Sequence, residues 1–147
     1  MPTLPQVTVF AGTSVGSNAG ARRALWAGRG MSALAVLFLA FDSLGKVLEV
    51  GPVVAATTQL GYPATQVFSI GALLASCLAA YVIPSTSLLG AVLLTGYLGG
   101  AIATQARVEA PLLSHTLVPV YVAAFVWGGL VLREARLRAL LPWRAHQ

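Results

Sequence analysis

Four stretches of the chain are nearly unbroken runs of apolar residues: Gly30–Val50, Gln66–Ile83, Leu88–Ala106 and Leu117–Leu132. Within them apolar residues follow one another instead of alternating with polar ones, which disfavours barrel strands and predicts helices. A helix rises ~1.5 Å per residue and needs about 20 residues to cross ~30 Å of hydrocarbon. Runs of 16–21 residues therefore predict four membrane-spanning helices. The fourth is the shortest and has Arg133 at its end as a snorkelling residue. The predicted fold is all-α, a four-helix transmembrane bundle.

The separators agree with this division. Pro84-Ser85-Thr86-Ser87 is a tight connection in which Pro ends one helix and Ser or Thr is expected to cap the next. Arg107 to Thr116 joins the third and fourth spans, with Pro111 as a breaker. The longer connection, Gly51 to Thr65, opens with Gly-Pro and closes near Gly61-Tyr62-Pro63. Between them VVAATTQL predicts two turns of helix lying at the membrane interface. Residues 1–21 carry Thr, Ser, Gly and Pro without a charged side chain and are expected to form a mobile N-terminal tail, not a signal peptide. Residues 22–143 then form one membrane domain, and 144–147 a C-terminal tail.

Composition sharpens the assignment. Apolar residues make up 57% of the 147 and charged residues 9%, against roughly 25% charged in soluble domains. So few charges do not cover a water-soluble surface, which excludes a soluble enzyme and a disordered chain. The net charge of +5 does not signal nucleic acid, because the basic residues sit at helix edges. Arg22, Arg23 and Arg29 precede the first span; Arg133, Arg136, Arg138 and Arg144 follow the last. Only Lys46 and Arg107 lie on the other side, so the positive-inside rule places both termini in the cytoplasm. Trp26 and Trp143 then fall at the cytoplasmic interface. Cys77, the single cysteine, excludes an internal disulfide and is expected to pack as a small hydrophobe.

Small residues recur every fourth position at Gly71, Ala75 and Ala79, and at Gly96, Gly100 and Thr104. Both stripes are expected to bring helices of the bundle together; a homo-oligomer face is the second reading of the same stripes. Candidate chemistry lies in the polar residues within the spans. Asp42, Lys46 and Glu49 fall at i, i+4 and i+7, which predicts one helix face. Asp42 is ~18 Å into its span, where an aspartate costs ~2.5–3.5 kcal/mol, and Lys46 is the expected partner. Tyr97, Thr104, Gln105, Arg107, His115 and Tyr62 come to the same outer end by topology. A polar outer vestibule is predicted, with Asp42 and Lys46 fixing a polar head group. Tyr97 and Thr104 would hydrogen-bond within it, and Arg107 and His115 would line its mouth. No ligand spacing points to a metal, and no Ser/His/Asp pattern or phosphate loop points to catalysis.

Phe41-Asp42-Ser43-Leu44-Gly45-Lys46, Leu60-Gly61-Tyr62-Pro63, Thr95-Gly96-Tyr97-Leu98-Gly99-Gly100-Ala101 and Val126-Trp127-Gly128-Gly129-Leu130 together resemble the DoxX-like family of small bacterial membrane proteins. The resemblance covers about Arg23 to Trp143. It implies a four-helix transmembrane bundle, similar in outline to vitamin K epoxide reductase and sterol-isomerase-like bundles, in the bacterial cytoplasmic membrane. The family shares its name with a subunit of a thiosulfate–quinone oxidoreductase, which implies quinone as a ligand. The chain has Gln105 where members often carry His, and it lacks the catalytic cysteines of the epoxide reductases.

The expected function is therefore that of a non-catalytic or accessory multi-pass membrane protein, binding a lipid or quinone-like molecule in the outer vestibule. The alternative is the membrane subunit of a quinone-linked oxidoreductase complex, acting with a membrane protein partner. A transporter is disfavoured, since four short spans without broken helices offer little machinery for alternating access.

Overall fold

The computed structural model describes residues 15–111, 116–134 and 137. Among them are five α-helices and one 3-10 turn, and no strand. Helix α1 is Val15–Val47, α2 is Gly51–Gln59, α3 is Val67–Val82, α4 is Ser87–Arg107 and α5 is Val118–Arg133; the 3-10 turn, Ala64–Gln66, leads into α3. Three of these helices are long and apolar enough to cross a membrane, over Gly20–Val47, Ala64–Val82 and Ser87–Arg107. The fourth expected span, α5, is a shorter apolar helix of 16 residues.

Helix α1 begins at Val15, inside the stretch expected as a tail. No proline lies between Pro5 and Pro52, and Ala19, Ala21 and Ala24 favour helix, so nothing interrupts it there. The rest of the expected tail, Met1 to Ser14, lies outside the described residues, as does 144–147.

The other end of α1 corrects an expectation. The helix stops at Val47, so Glu49 does not share a helix face with Asp42 and Lys46; it stands past the end with φ of +49°. Two hydrogen bonds close this end, Val50 N to Gly45 O at 3.0 Å and Glu49 N to Lys46 O at 3.2 Å. That pair is a Schellman motif, in which the residue after the C-cap turns left-handed. Helix α4 ends the same way at Glu109, φ +53°, through Ala110 N to Gln105 O at 3.1 Å and Glu109 N to Ala106 O at 3.2 Å. Gly51-Pro52 then opens α2, Pro standing in the first turn, where its missing N–H is no loss. The predicted two turns within Gly51–Thr65 are thus present as α2.

Pro84 follows the end of α3, as expected, but no side chain caps α4. Thr86 instead donates backward, from Oγ1 to the Ala80 carbonyl at 2.8 Å, and holds the tight α3–α4 connection.

Helix α1 packs against α3 and α5, and α4 packs against the same two. Apolar side chains fill the half of this arrangement that contains the start of α1 and the end of α5. Leu39, Leu74, Tyr81, Ala91, Leu94, Val126 and Leu130 are buried there. Tyr81 ties three helices together: its hydroxyl donates to the Val126 carbonyl at 2.9 Å and stands 2.9 Å from Ser32 Oγ. Close approach depends on glycine. A Cβ on Gly129 would lie 2.8 Å from Ser32 N and 3.0 Å from Gly28 O, so α1 and α5 cross backbone on backbone. One on Gly90 would collide with the Tyr81 backbone, and one on Gly71 would lie 2.9 Å from Val47 N.

Of the expected α3 stripe only Gly71 is buried, Ala75 and Ala79 being exposed, and the glycines of the expected α4 stripe make no close approach at all. Nothing lies within 4 Å of a Cβ built on Gly96, Gly99 or Gly100. Neighbouring helices therefore stand off from the face of α4 that carries Gly96 and Gly100, and the small residues there leave space instead of filling it.

Candidate functional site

That space is a chamber of about 900 Å³ in the half of the molecule near α2. Each helix contributes to its wall by the face that its periodicity dictates. From α1 come Phe38, Asp42 and Lys46, four residues apart and so one above the other. Helix α2 lies across one side with Pro52, Val53, Ala56, Thr57 and Leu60, a single helical face. Helix α3 contributes Ile70, Leu73 and Cys77, α4 contributes Gly96, Tyr97, Gly100 and Thr104, and α5 contributes Val118, Pro119 and Val122. The lining is mostly apolar. Wall residues Phe38, Leu73 and Val92 are each about half exposed, so the chamber is not sealed from its surroundings.

Four of the six residues expected at the site, Asp42, Lys46, Tyr97 and Thr104, meet at this chamber. Asp42 and Lys46 form an ion pair along α1, as expected from their spacing. Their surroundings differ: the Lys46 side chain is 13% exposed and that of Asp42 is 37%. The stem of Lys46 packs where Gly71 leaves room, 2.6 Å from where a Cβ on that glycine would stand. The pair is electrically balanced, so the chamber wall carries no net charge from it. Thr104 is less available than expected. Its hydroxyl donates to the Gly100 carbonyl at 2.9 Å and stands 3.0 Å from the Tyr62 hydroxyl. With its single hydrogen used, Thr104 accepts from Tyr62. The Tyr97 hydroxyl has no hydrogen-bond partner among the described residues.

Arg107 does not line the chamber. It lines an adjacent recess of about 300 Å³ with Gly61, Tyr62, Pro63, Gln66, Ala103 and Thr104. One guanidinium N–H donates to the Leu60 carbonyl at 3.1 Å, and Gly61, at φ +91°, lies so near that a Cβ would meet Nη2 at 2.6 Å. Arg107 and the Tyr62–Thr104 bond thus fasten the segment after α2 onto the end of α4. His115 lies outside the described residues.

Tyr62, placed at the outer end by topology but given no role in the expected vestibule, is central to the site. It walls both spaces. Gly96 and Gly100 were recognisable as small residues, but whether a small residue admits a helix or a void depends on the neighbouring helix. Among the described residues, no three His, Cys, Asp or Glu side chains gather to hold a metal ion. Cys77 is buried and free, as expected.

No curated protein and no solved structure matches the chain. The model of the DoxX-like family matches residues 30–129. This match starts in the middle of α1 and ends in α5, shorter at both ends than the stretch over which the resemblance was read. The long apolar helices agree with the family in pointing to a small membrane protein. With the match running through all five helices, the chain belongs to the DoxX-like family.

Proposed function

We propose that this protein is a four-helix bundle spanning the bacterial cytoplasmic membrane several times, with both termini in the cytoplasm. In this reading α5 is the fourth span and α2 lies at the outer interface. It is a non-catalytic or accessory protein that takes up a lipid or quinone-like molecule in the chamber of the outer half.

The observation that carries this reading is the open flank of α4. A volume of about 900 Å³ faces Gly96 and Gly100 with nothing packed on them, in the upper part of the range of small-molecule sites. Elongated apolar molecules fit such a wall, and water is poorly accommodated because polar partners are few. A quinone fits its chemistry, since the Tyr97 hydroxyl is a donor for a carbonyl oxygen, and a bound quinone would supply two-electron redox chemistry. The chain's own contribution is to hold the molecule among Val92, Leu93 and Val122 and to keep water away from it.

Mass spectrometry of small molecules extracted from the protein in lipid discs tests this. Wild type is compared with a Gly96→Leu/Gly100→Leu variant and an unrelated four-helix protein. One lipid or quinone enriched in wild type and lost in the variant is expected. Equal content in all three samples sinks the proposal. Stable co-purification of a second protein with the chain would move the reading to the membrane subunit of a quinone-linked oxidoreductase complex.

A further inference from the structure

The chamber and the Arg107 recess share two wall residues, Tyr62 and Thr104, and differ in chemistry. The chamber is apolar, and its one cation, Lys46, is neutralised by Asp42. The recess holds a cation with no such partner. All four side-chain carboxylates of the chain, Asp42, Glu49, Glu109 and Glu134, lie among the described residues, and none is paired with Arg107. A guanidinium has five N–H donors, and Leu60 takes one. The Gln66 amide, beside Arg107 in the recess, has no hydrogen-bond partner among the described residues either. The Tyr62 and Thr104 hydroxyl hydrogens are already committed, to Thr104 and to the Gly100 carbonyl.

We propose that the two spaces form one site for an amphiphile whose phosphate head carries a net negative charge, with no cation of its own to offset it: the head sits in the recess on Arg107 and Gln66, and its hydrocarbon chain runs past Tyr62 into the chamber. This rests on the chamber being a ligand site and fixes the ligand's class and direction. It also reverses the expected polarity, since Asp42 and Lys46 meet chain, not head. An anion beside Lys46 would face the Asp42 carboxylate as well, whereas one at Arg107 meets an unopposed guanidinium that binds phosphate oxygens in a fork. The recess lies at the end of α4, at the level where lipid head groups would stand in the proposed membrane orientation. Phe38, Leu73 and Val92, partly exposed on the wall, give a hydrocarbon chain a route in from the bilayer.

The test is native mass spectrometry of the full chain in detergent, titrated separately with phosphatidylglycerol and phosphatidylcholine, with inorganic phosphate as competitor. Wild type is expected to bind phosphatidylglycerol roughly tenfold more tightly, the size of one charge-assisted hydrogen bond. Arg107→Gln removes that preference, Arg107→Lys keeps most of it, and inorganic phosphate at equal concentration does not displace the lipid. Because Arg107 also holds Leu60, the Lys variant separates loss of charge from loss of the fold. Equal binding of both lipids by wild type, or an undiminished preference in Arg107→Gln, overturns the head placement. Displacement by inorganic phosphate overturns the joined site. The Gly96→Leu/Gly100→Leu variant tells these failures from failure of the chamber itself. It should lose both lipids; if it binds both as wild type does, the chamber reading falls.

Discussion

At the scale of single residues, the Asp42–Lys46 pair is asymmetric. Lys46 is the more buried partner, and its aliphatic stem is held against Gly71. Its removal strands a carboxylate on an apolar wall, while removal of Asp42 leaves an ammonium on a long stem that can reach toward the helix end. Lys46→Leu should therefore lower stability by about 1–2 kcal/mol, below the ~3–5 kcal/mol of a fully buried pair because Asp42 is partly exposed. Asp42→Leu should cost less, and the double variant should recover part of the loss. Thermal unfolding of the four proteins in one detergent checks this as a double-mutant cycle, and additive effects would mean that the two side chains are uncoupled. Glu49 and Glu109 are a second residue-scale matter. Each has a Cβ in a left-handed position, which costs a non-glycine residue roughly 1–2 kcal/mol. Glu49→Gly and Glu109→Gly should each raise the melting temperature, Gly being the residue this helix end favours. A fall in both would show that the carboxylates make a compensating contact.

Among the helices, glycine has two opposite roles. Gly90 carries the backbone approach of α3 and α4, and an Ala there should destabilise by about 1–3 kcal/mol through overpacking. Gly96 meets nothing, so Gly96→Ala should be neutral or stabilising by up to ~1 kcal/mol through helix propensity. Melting curves of the two single variants distinguish them, and equal losses would refute the open flank of α4. Gly71 and Gly96 each head a run of small residues at intervals of four, so spacing alone does not tell the glycine that meets a neighbouring helix from the one that faces a void. Helical content was legible because apolar runs and prolines are local signals: Pro52, Pro84 and Pro119 each stand at a connection or in a first turn. The i, i+4 pairing of Asp42 with Lys46 was legible for the same reason. Where α1 stops was not, since Glu49 takes up a left-handed conformation rare for its type. The contact of Tyr81 with Ser32 is equally hidden in the sequence. Their bond joins residues 49 apart in the chain, and nothing local marks either one.

For the whole molecule, the question is which way the helices point. Helices α1 and α4 end, and α3 begins, at the side bearing α2, the chamber and the recess. Only Lys46 and Arg107 of the nine basic residues belong to that side by chain order, and Lys46 is neutralised. Charge therefore favours translocation of that side and retention of the Arg-rich one. Thiol labelling makes this testable, because the single native cysteine is buried and gives a low background. Thr58→Cys, exposed on α2, should react in intact cells with a membrane-impermeant maleimide, and Gly20→Cys, exposed near the start of α1, should react only after lysis. The reverse pattern would put the chamber on the cytoplasmic side, and with it any ligand that enters through its wall. Labelling of both positions in intact cells would mean that α1, the one helix between them, does not cross the membrane. The orientation thus bears on function directly. It decides which leaflet supplies the chamber and on which face of the membrane Arg107 meets a head group.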